Sequence, residues 1–157
     1  MNSEMELRDI NEENLLSIIG LKVSEDQMDQ VASNSTSIAQ GHYRKSAWFK
    51  GIFHDGKPVG FIMLDLNTET NQCDLWRLMI DRRYQGLGHG KAALKTAIGY
   101  VQSLNTFEKI NSSFVPKEGA NAGDFYKKLG FVETGEIDDC GEIGITLILK
   151  PLGFSLG

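Results

Sequence analysis

The feature that most constrains this chain is a cluster of three glycines, Gly86, Gly88 and Gly90, between an apolar segment and an amphipathic one. The apolar segment is QCDLWRLMI (72–80), which predicts a strand. After the glycines, apolar residues recur at the spacing of one buried helical face: Leu94, Ala97, Ile98 and Val101. Glycine weakens a helix start, so the cluster indicates backbone amides left open for a ligand, of which phosphate is the natural candidate. A plain loop before a helix is the alternative.

The amino-terminal third predicts one strand and three helices. The strand is ELRDI (6–10). The helices are expected over 11–21 with Asn11 as cap, over 24–34 from the capping-box spacing of Ser24 and Gln27, and over 36–45, where Gly41 weakens the pattern.

The remainder predicts strands joined by short turns and then alternating elements. Strands are expected over 46–53 and 58–66 with an Asp-Gly turn at 54–57, then over 72–80 after a turn at 67–71. After the helix that follows Gly90, we expect a strand at 109–115, a helix at 119–131 closed by Gly130, and a strand at 141–149. Strands on either side of a crossover helix should be parallel. This order predicts a mixed α/β fold, a six- or seven-stranded mixed sheet with helices on both faces, in a single domain (1–157, core about 5–150).

Composition argues against several classes of protein. The net charge of −5 disfavours a nucleic-acid binder, whose footprint should be basic. No apolar run approaches the roughly 20 residues that span a bilayer, and the acidic amino terminus does not resemble a signal peptide. We therefore expect a cytoplasmic protein with no membrane partner. Cys73 and Cys140 are the only cysteines and the three histidines are scattered, so no metal site is expected.

Three phosphate-binding loops can be compared with the glycine cluster. A nucleotide P-loop fails because GLGHGKA is one residue short and places Ala92 where a magnesium-binding hydroxyl is needed. A dinucleotide-binding loop fails because Lys91 occupies its last glycine position. The pattern Q/R-x-x-G-x-G/A is satisfied by Gln85, Gly88 and Gly90. With the preceding RLMID and the later FYKKLGF, it resembles the GCN5-related N-acetyltransferase (GNAT) superfamily.

The resemblance implies that acetyl-CoA is the cosubstrate. Amides of the loop would face its diphosphate, Lys91 or Arg83 would add charge, and the carboxyl end of the 72–80 strand would pair with the pantetheine arm. Its backbone, near Met79 and Ile80, would splay from its neighbour and polarise the thioester carbonyl. The implied coenzyme-binding residues are Leu78, Met79, Ile80, Gln85, Gly86, Leu87, Gly88, His89, Gly90, Lys91, Asn121 and Tyr126. Asn121 is included because Gly119 stands where the family often has asparagine.

The chemistry needs a proton donor for the leaving thiolate and a base for the amine. The resemblance assigns the first task to Tyr126, although Tyr126 packing on the coenzyme is the alternative. The resemblance implies a carboxylate base on the 72–80 strand, but the expected position is Trp76 in this register. Asp74, two residues earlier on the same face, is therefore a candidate and Glu142 a competitor. For both acids, a solvated surface carboxylate is the alternative.

Nearly the whole chain, roughly 5–150, resembles bacterial spermine/spermidine acetyltransferases, which implies a polyamine acceptor and a homodimer. Candidate acids for its ammonium groups are Glu25, Asp26, Asp74, Glu133, Glu136, Asp138, Asp139 and Glu142, with Trp48 and Trp76 as walls. Strand alternation places Arg77 on the opposite face from Asp74. The segment ETGEIDD (133–139) can instead be a solvated loop. Another amine (an aminoglycoside, an amino acid, a protein terminus or lysine) or a noncatalytic acetyl-CoA-binding regulator remains open.

Overall fold

A computed structural model describes residues 4–24, 32–116 and 122–149. These residues form a seven-stranded mixed sheet in the order β1-β2-β3-β4-β5-β7-β6. The strands are β1 Met5–Arg8, β2 Ala47–His54, β3 Lys57–Asn67, β4 Gln72–Ile80, β5 Lys109–Phe114, β6 Val132–Ile137 and β7 Ile143–Ile148. The helices are α1 Leu15–Ile19, α2 Asn34–His42, α3 His89–Ser103 and α4 Ala122–Lys128.

The predicted fold class is confirmed, and local chemistry explains most of the elements. At the β2–β3 turn, Asp55 and Gly56 both have positive φ (50° and 79°), as a two-residue Asp-Gly hairpin requires. Helix α4 ends at Lys128, shorter than predicted, and Gly130 just beyond it has a left-handed φ of 99°. The Phe131 amide donates back to the carbonyl of Tyr126. The β4–α3–β5 crossover makes β4 and β5 parallel, as predicted.

The amino-terminal helices differ from their predicted bounds. Asn11 accepts hydrogen bonds from the amides of Glu13 and Asn14, so it caps a turn, and α1 begins only at Leu15. Helix α2 begins after Ser33, whose side chain accepts from the Thr36 amide. The predicted 24–34 helix lies mostly outside the described residues.

Gly41 lies inside α2 for a packing reason. A Cβ at Gly41 would come within 2.6 Å of the Phe49 ring, so glycine lets this helix approach β2 closely. The helix-weakening residue is therefore part of the helix–sheet contact.

Strand β6 was not in the predicted element order, which assigned no strand to this segment and gave a solvated loop as one alternative for 133–139. Every side chain from Val132 to Ile137 is exposed, and the strand lies at the edge of the sheet against β7. Because no residue of this strand is buried, the segment lacks the alternation that marks a half-buried strand.

The sheet separates two apolar clusters, one on each face. Helix α3 packs over the larger cluster with Ala93, Leu94, Ala97 and Val101. Helices α1 and α2 cover the other cluster, in which Ile18 and Ile38 meet Phe61, Met63 and Met79 of the sheet. Strand β4 contributes side chains to both clusters, so the orientation of each β4 side chain decides on which face of the sheet it lies.

Candidate active site

A cavity of about 770 Å³ opens where β4 and β5 part. The two strands pair only at Cys73 with Ile110 and at Asp74 with Asn111. From Leu75 onward β4 has no β5 partner, so the edge that carries Leu78, Met79 and Ile80 is left open on that side. The predicted separation of the strands is confirmed, and it begins earlier than Met79. A peptide-like arm can add to such an edge.

A β-bulge in β4 decides which side chains face the cavity. Met63 of β3 pairs with Arg77, whereas the next residue, Leu64, pairs with Leu75, so Trp76 is the extra residue. Cys73 and Leu75 belong to the cluster under α3, and so do Leu78 and Ile80. Leu78 is three residues after Leu75, so the bulge has shifted the alternation of side chains by one residue.

The bulge overturns the predicted orientation of Arg77. Simple alternation placed Arg77 opposite Asp74, but the extra residue brings both side chains to the same cavity. The Arg77 guanidinium donates from Nη1 to the Trp76 carbonyl and from Nη2 to Gln40 of α2. Its Nε is buried and has no hydrogen-bond partner among the described residues.

Asp74 lies on the cavity wall beside a second carboxylate that sequence reasoning missed. Asp65 of β3 pairs directly across from Asp74, is only 6% exposed, and is bridged by Arg44 at 2.7 Å from Nη2 to Oδ2. Burial, and then the neighbouring Asp65 charge, raise the pKa of Asp74, against a lowering effect of the hydrogen bond with Asn111. A raised pKa makes this carboxylate a better proton acceptor than an ordinary aspartate.

Tyr126 reaches the same cavity from α4. Its ring packs edge-on against Phe125 and Phe131, and Ser112 shares a hydrogen bond with its hydroxyl. Burial raises the pKa of Tyr126, so the phenol stays protonated near neutral pH and can donate its proton.

Glu142, just before β7, also lines the cavity, so the structure brings together all three predicted catalytic side chains. The other candidate acids divide into two groups. Glu133, Glu136, Asp138 and Asp139 are exposed and do not line the cavity. Glu25 and Asp26 lie outside the described residues.

The two tryptophans that were proposed as walls of the acceptor site lie in different places. Trp76 lines the cavity. Trp48 belongs to the opposite face, where it stacks on Tyr100 of α3 at 5.2 Å, so its proposed role as a cavity wall is wrong.

The glycine loop forms the start of α3. Gly86 and Gly88 have φ of 80° and 85°, and an added Cβ at either would meet nothing within 4 Å. Gly90 is helical and makes only ordinary contacts, so its position does not demand glycine for space within the chain. Amides of the first helical turn lack intrahelical partners, so those of His89, Gly90 and Lys91 stay available.

Side chains around the loop hold it in place. Gln85 donates from Nε2 to the Ile80 carbonyl at 2.9 Å, which ties the loop to the end of β4. Asp81 is 2% exposed and accepts from the amides of Lys22 and Arg83 and from the Arg83 guanidinium. Because Arg83 is paired with Asp81, the positive charge proposed at the edge of the loop is left to Lys91, which is exposed.

His89 and Leu87 contribute to the loop differently. The His89 ring is buried and lies 4.5 Å from that of His54, so only its backbone can face a ligand. Burial, followed by His54, lowers the pKa of His89. Leu87 is 66% exposed. Asn121, the remaining predicted coenzyme contact, lies outside the described residues.

These features fit acetyl-CoA. Left-handed glycines with open space beside them, free first-turn amides of a fifteen-residue helix and an exposed lysine suit a diphosphate. The open β4 edge leads from this loop towards the cavity that contains Tyr126. Within the described ranges, no group of His, Cys, Asp and Glu side chains could hold a metal ion, and no helix is long and apolar enough to cross a membrane.

Comparison with known proteins gives the family. Residues 11–131 match the Acetyltransferase (GNAT) family. This chain belongs to that family. It is an N-acetyltransferase, and its cosubstrate is acetyl-CoA.

Individual relatives refine the comparison. The spermine/spermidine N(1)-acetyltransferase of Bacillus subtilis (strain 168) is 30% identical over 145 residues, which cover 87% of this chain and 93% of that protein. The Vibrio cholerae spermidine N-acetyltransferase, solved in complex with CoA and spermine, aligns with a TM-score of 0.74 at 16% identity over 92% of this chain and 95% of that one. The Escherichia coli ribosomal-protein-S18-alanine N-acetyltransferase aligns with a TM-score of 0.71 at 17% identity over 98% and 99%. The two structures show the fold.

Among the charged residues that line the cavity, the sequence analysis missed Asp65 and Arg44. The signal for Asp65 was incomplete, because counting outward from the predicted 67–71 turn places it opposite Cys73. In the structure Asn67 still pairs with Gln72, and this shift of one residue places Asp65 opposite Asp74. Arg44 had no such signal, since its contact with Asp65 joins a residue after α2 to the sheet.

Proposed function

We propose that this enzyme transfers the acetyl group of acetyl-CoA to a primary amine of a polyamine such as spermine or spermidine. The supporting observation is the shared cavity, in which Asp65, Asp74 and Glu142 lie on the same walls as Tyr126. Carboxylates held beside a proton donor suit an acceptor that arrives as an ammonium and must lose a proton before it reacts. The Bacillus subtilis relative supports the same class of acceptor.

The proposal assigns a chemical task to several residues of the cavity and to the open edge of β4. Acetyl-CoA supplies the acetyl group as an activated thioester. Asp74, whose pKa burial raises, accepts a proton from the acceptor ammonium, and Glu142 is the competing base. Backbone amides on the open β4 edge near Met79 and Ile80 polarise the carbonyl. Tyr126 donates its phenol proton to the thiolate, and Ser112 orients the hydroxyl.

A second acceptor class has one observation in its favour. Two guanidiniums, those of Arg44 and Arg77, line the cavity and can bind an acceptor that carries a carboxylate, such as an amino acid. Arg44 already bridges Asp65, and Arg77 already donates to Trp76 and Gln40. We therefore favour the polyamine.

The first experiment is thiol release from acetyl-CoA with spermine, spermidine, putrescine, an aminoglycoside, free amino acids and a lysine peptide. Strong turnover confined to the polyamines supports the proposal, and turnover confined to another acceptor refutes it. Tyr126→Phe should lower kcat by about a hundredfold or more if the phenol is the acid. Tyr100→Phe is the matched control, because Tyr100 stacks on Trp48 on the opposite face of the sheet.

The variant also separates catalysis from coenzyme packing. If Tyr126 only packs on the coenzyme, Tyr126→Phe will keep kcat and change only the KM for acetyl-CoA. Sedimentation of the same protein tests the homodimer, which stays a prediction, as do a single domain and a cytoplasmic location.

A further inference from the structure

Arg77 is an unusual residue for a cavity that receives a polycation. The bulge at Trp76 turns its side chain onto the face that carries Asp74, where it is half-buried. Its buried Nε has no hydrogen-bond partner among the described residues, so the guanidinium is taken out of water without full compensation. Because burial of the Arg77 guanidinium costs free energy, its retention in the cavity points to an effect on which substrates can bind there.

Arg77 already engages two elements that would otherwise attract a substrate ammonium. Its guanidinium carbon lies 5.6 Å from the centroid of the Trp76 ring, within cation–π range. Arg44 lies 5.5 Å from the same ring. The cavity acid whose charge acts on Arg77 is Glu142. The Trp76 ring and the Glu142 carboxylate therefore both already interact with a cation of the protein itself, Arg77.

The charges of the described cavity lining are nearly balanced. Three carboxylates, Asp65, Asp74 and Glu142, face two guanidiniums, Arg44 and Arg77, which leaves one net negative charge. Arg44 bridges Asp65. The charge of Glu142 acts on Arg77, whereas the charge of Arg44 acts on both Asp65 and Asp74.

We propose that Arg77 is a specificity-determining residue: its guanidinium acts as a tethered cation that takes the Trp76 face and the field of Glu142. A second ammonium of the acceptor would otherwise use both. Arg77 thereby limits how strongly the enzyme prefers a polyamine over a monoamine. This inference rests on the proposed function, since it concerns the ammonium groups of the acceptor.

The test compares kcat/KM for spermine with that for butylamine, which has no second ammonium. Arg77→Met removes the charge and keeps most of the volume. The ratio of spermine to butylamine should rise about fivefold, the factor expected when one partly exposed ion pair of about 1 kcal/mol becomes available. Arg77→Lys keeps a charge that can still lie over the Trp76 ring, so it should keep the ratio near its original value. Arg8→Met removes one exposed cation from β1, outside the cavity, and controls for net charge.

A double-mutant cycle identifies the carboxylate through which Arg77 acts. In a Glu142→Gln background, Arg77→Met should raise the ratio by less, because only the Trp76 face is then freed for the second ammonium. An unchanged ratio in Arg77→Met overturns the inference, as does a rise that is equally large with and without Glu142. Loss of turnover with every acceptor also overturns it, because Arg77 would then be holding an anionic group.

Binding separates this inference from the proposed function. Calorimetric titration of spermine and butylamine into the same variants gives the ratio of dissociation constants without turnover. If the native enzyme releases no thiol with any polyamine, the proposed function is refuted, and the dissociation constants still decide the role of Arg77.

Discussion

Gly88→Ala tests whether the glycine loop binds a ligand through its backbone. Gly88 has a φ of 85° and caps α3, and a Cβ there would meet no atom of the chain within 4 Å. The cost to the chain is therefore conformational alone, about 1 kcal/mol for an L-residue in the left-handed region. For 157 residues this corresponds to a fall in Tm of about 2–4 °C.

The effect on acetyl-CoA should be larger than the effect on stability. The open space beside Gly88 lets a phosphate approach the amides, and a methyl group there would push it away. Losing one charge-assisted hydrogen bond costs about 1.5–3 kcal/mol, which raises a dissociation constant by about ten- to a hundredfold. We expect the KM for acetyl-CoA to rise by that factor while the KM for the acceptor changes little.

The matched control is Gly99→Ala in the middle of α3, where an added Cβ also meets nothing within 4 Å. Its backbone is helical, so alanine should stabilise the protein by up to about 1 kcal/mol and leave kinetics unchanged. Thermal melts and initial rates over a range of acetyl-CoA concentrations measure both quantities. A Gly88→Ala enzyme that loses stability but keeps its KM for acetyl-CoA would refute diphosphate binding by this loop.

Three further predictions concern ionisation and packing. If Asp74 is the base, activity should fall as the pH falls through the pKa of Asp74. Burial raises that pKa, so the acidic limb of the pH–rate profile should lie above the ordinary aspartate range near 4. An Asp74→Asn enzyme with the same acidic limb would assign that limb to another group. Burial raises the pKa of Cys73 to about 12, so a thiol reagent at pH 8 should modify only the exposed Cys140 until the protein unfolds. Gly60→Ala would press a Cβ against the Met79 carbonyl oxygen, so urea denaturation should show that the free energy of unfolding falls by about 3 kcal/mol. A fall of less than about 1 kcal/mol would contradict that contact.

Elements with a local chemical cause could be predicted from the sequence. The Asp-Gly hairpin, the left-handed Gly130 and the crossover from β4 through α3 follow from residues close together in the chain. Strand β6 could not be predicted in this way, because it is exposed throughout and is held by pairing with β7. Such an edge strand depends on a partner that comes later in the sequence.

The candidate site divides along the same line. Tyr126, Asp74 and Glu142 were identified from the sequence and lie around one cavity. The orientation of Arg77 was wrong, because a single extra residue in β4 reverses the alternation of side chains, and no local pattern marked the bulge. The buried contact of Asp65 likewise depends on pairing between strands.

The sequence by itself determined the family, the glycine loop and the kinds of residue available for acyl transfer, because these depend on short motifs and local backbone preference. Only the tertiary structure decided which charges share the cavity. The β4 bulge places Arg77 on the same side of the sheet as Asp74, and the segment after α2 places Arg44 against Asp65. The physical reason is that electrostatic interactions act through space, so the charge that an acceptor meets is set by packing between elements distant in the chain.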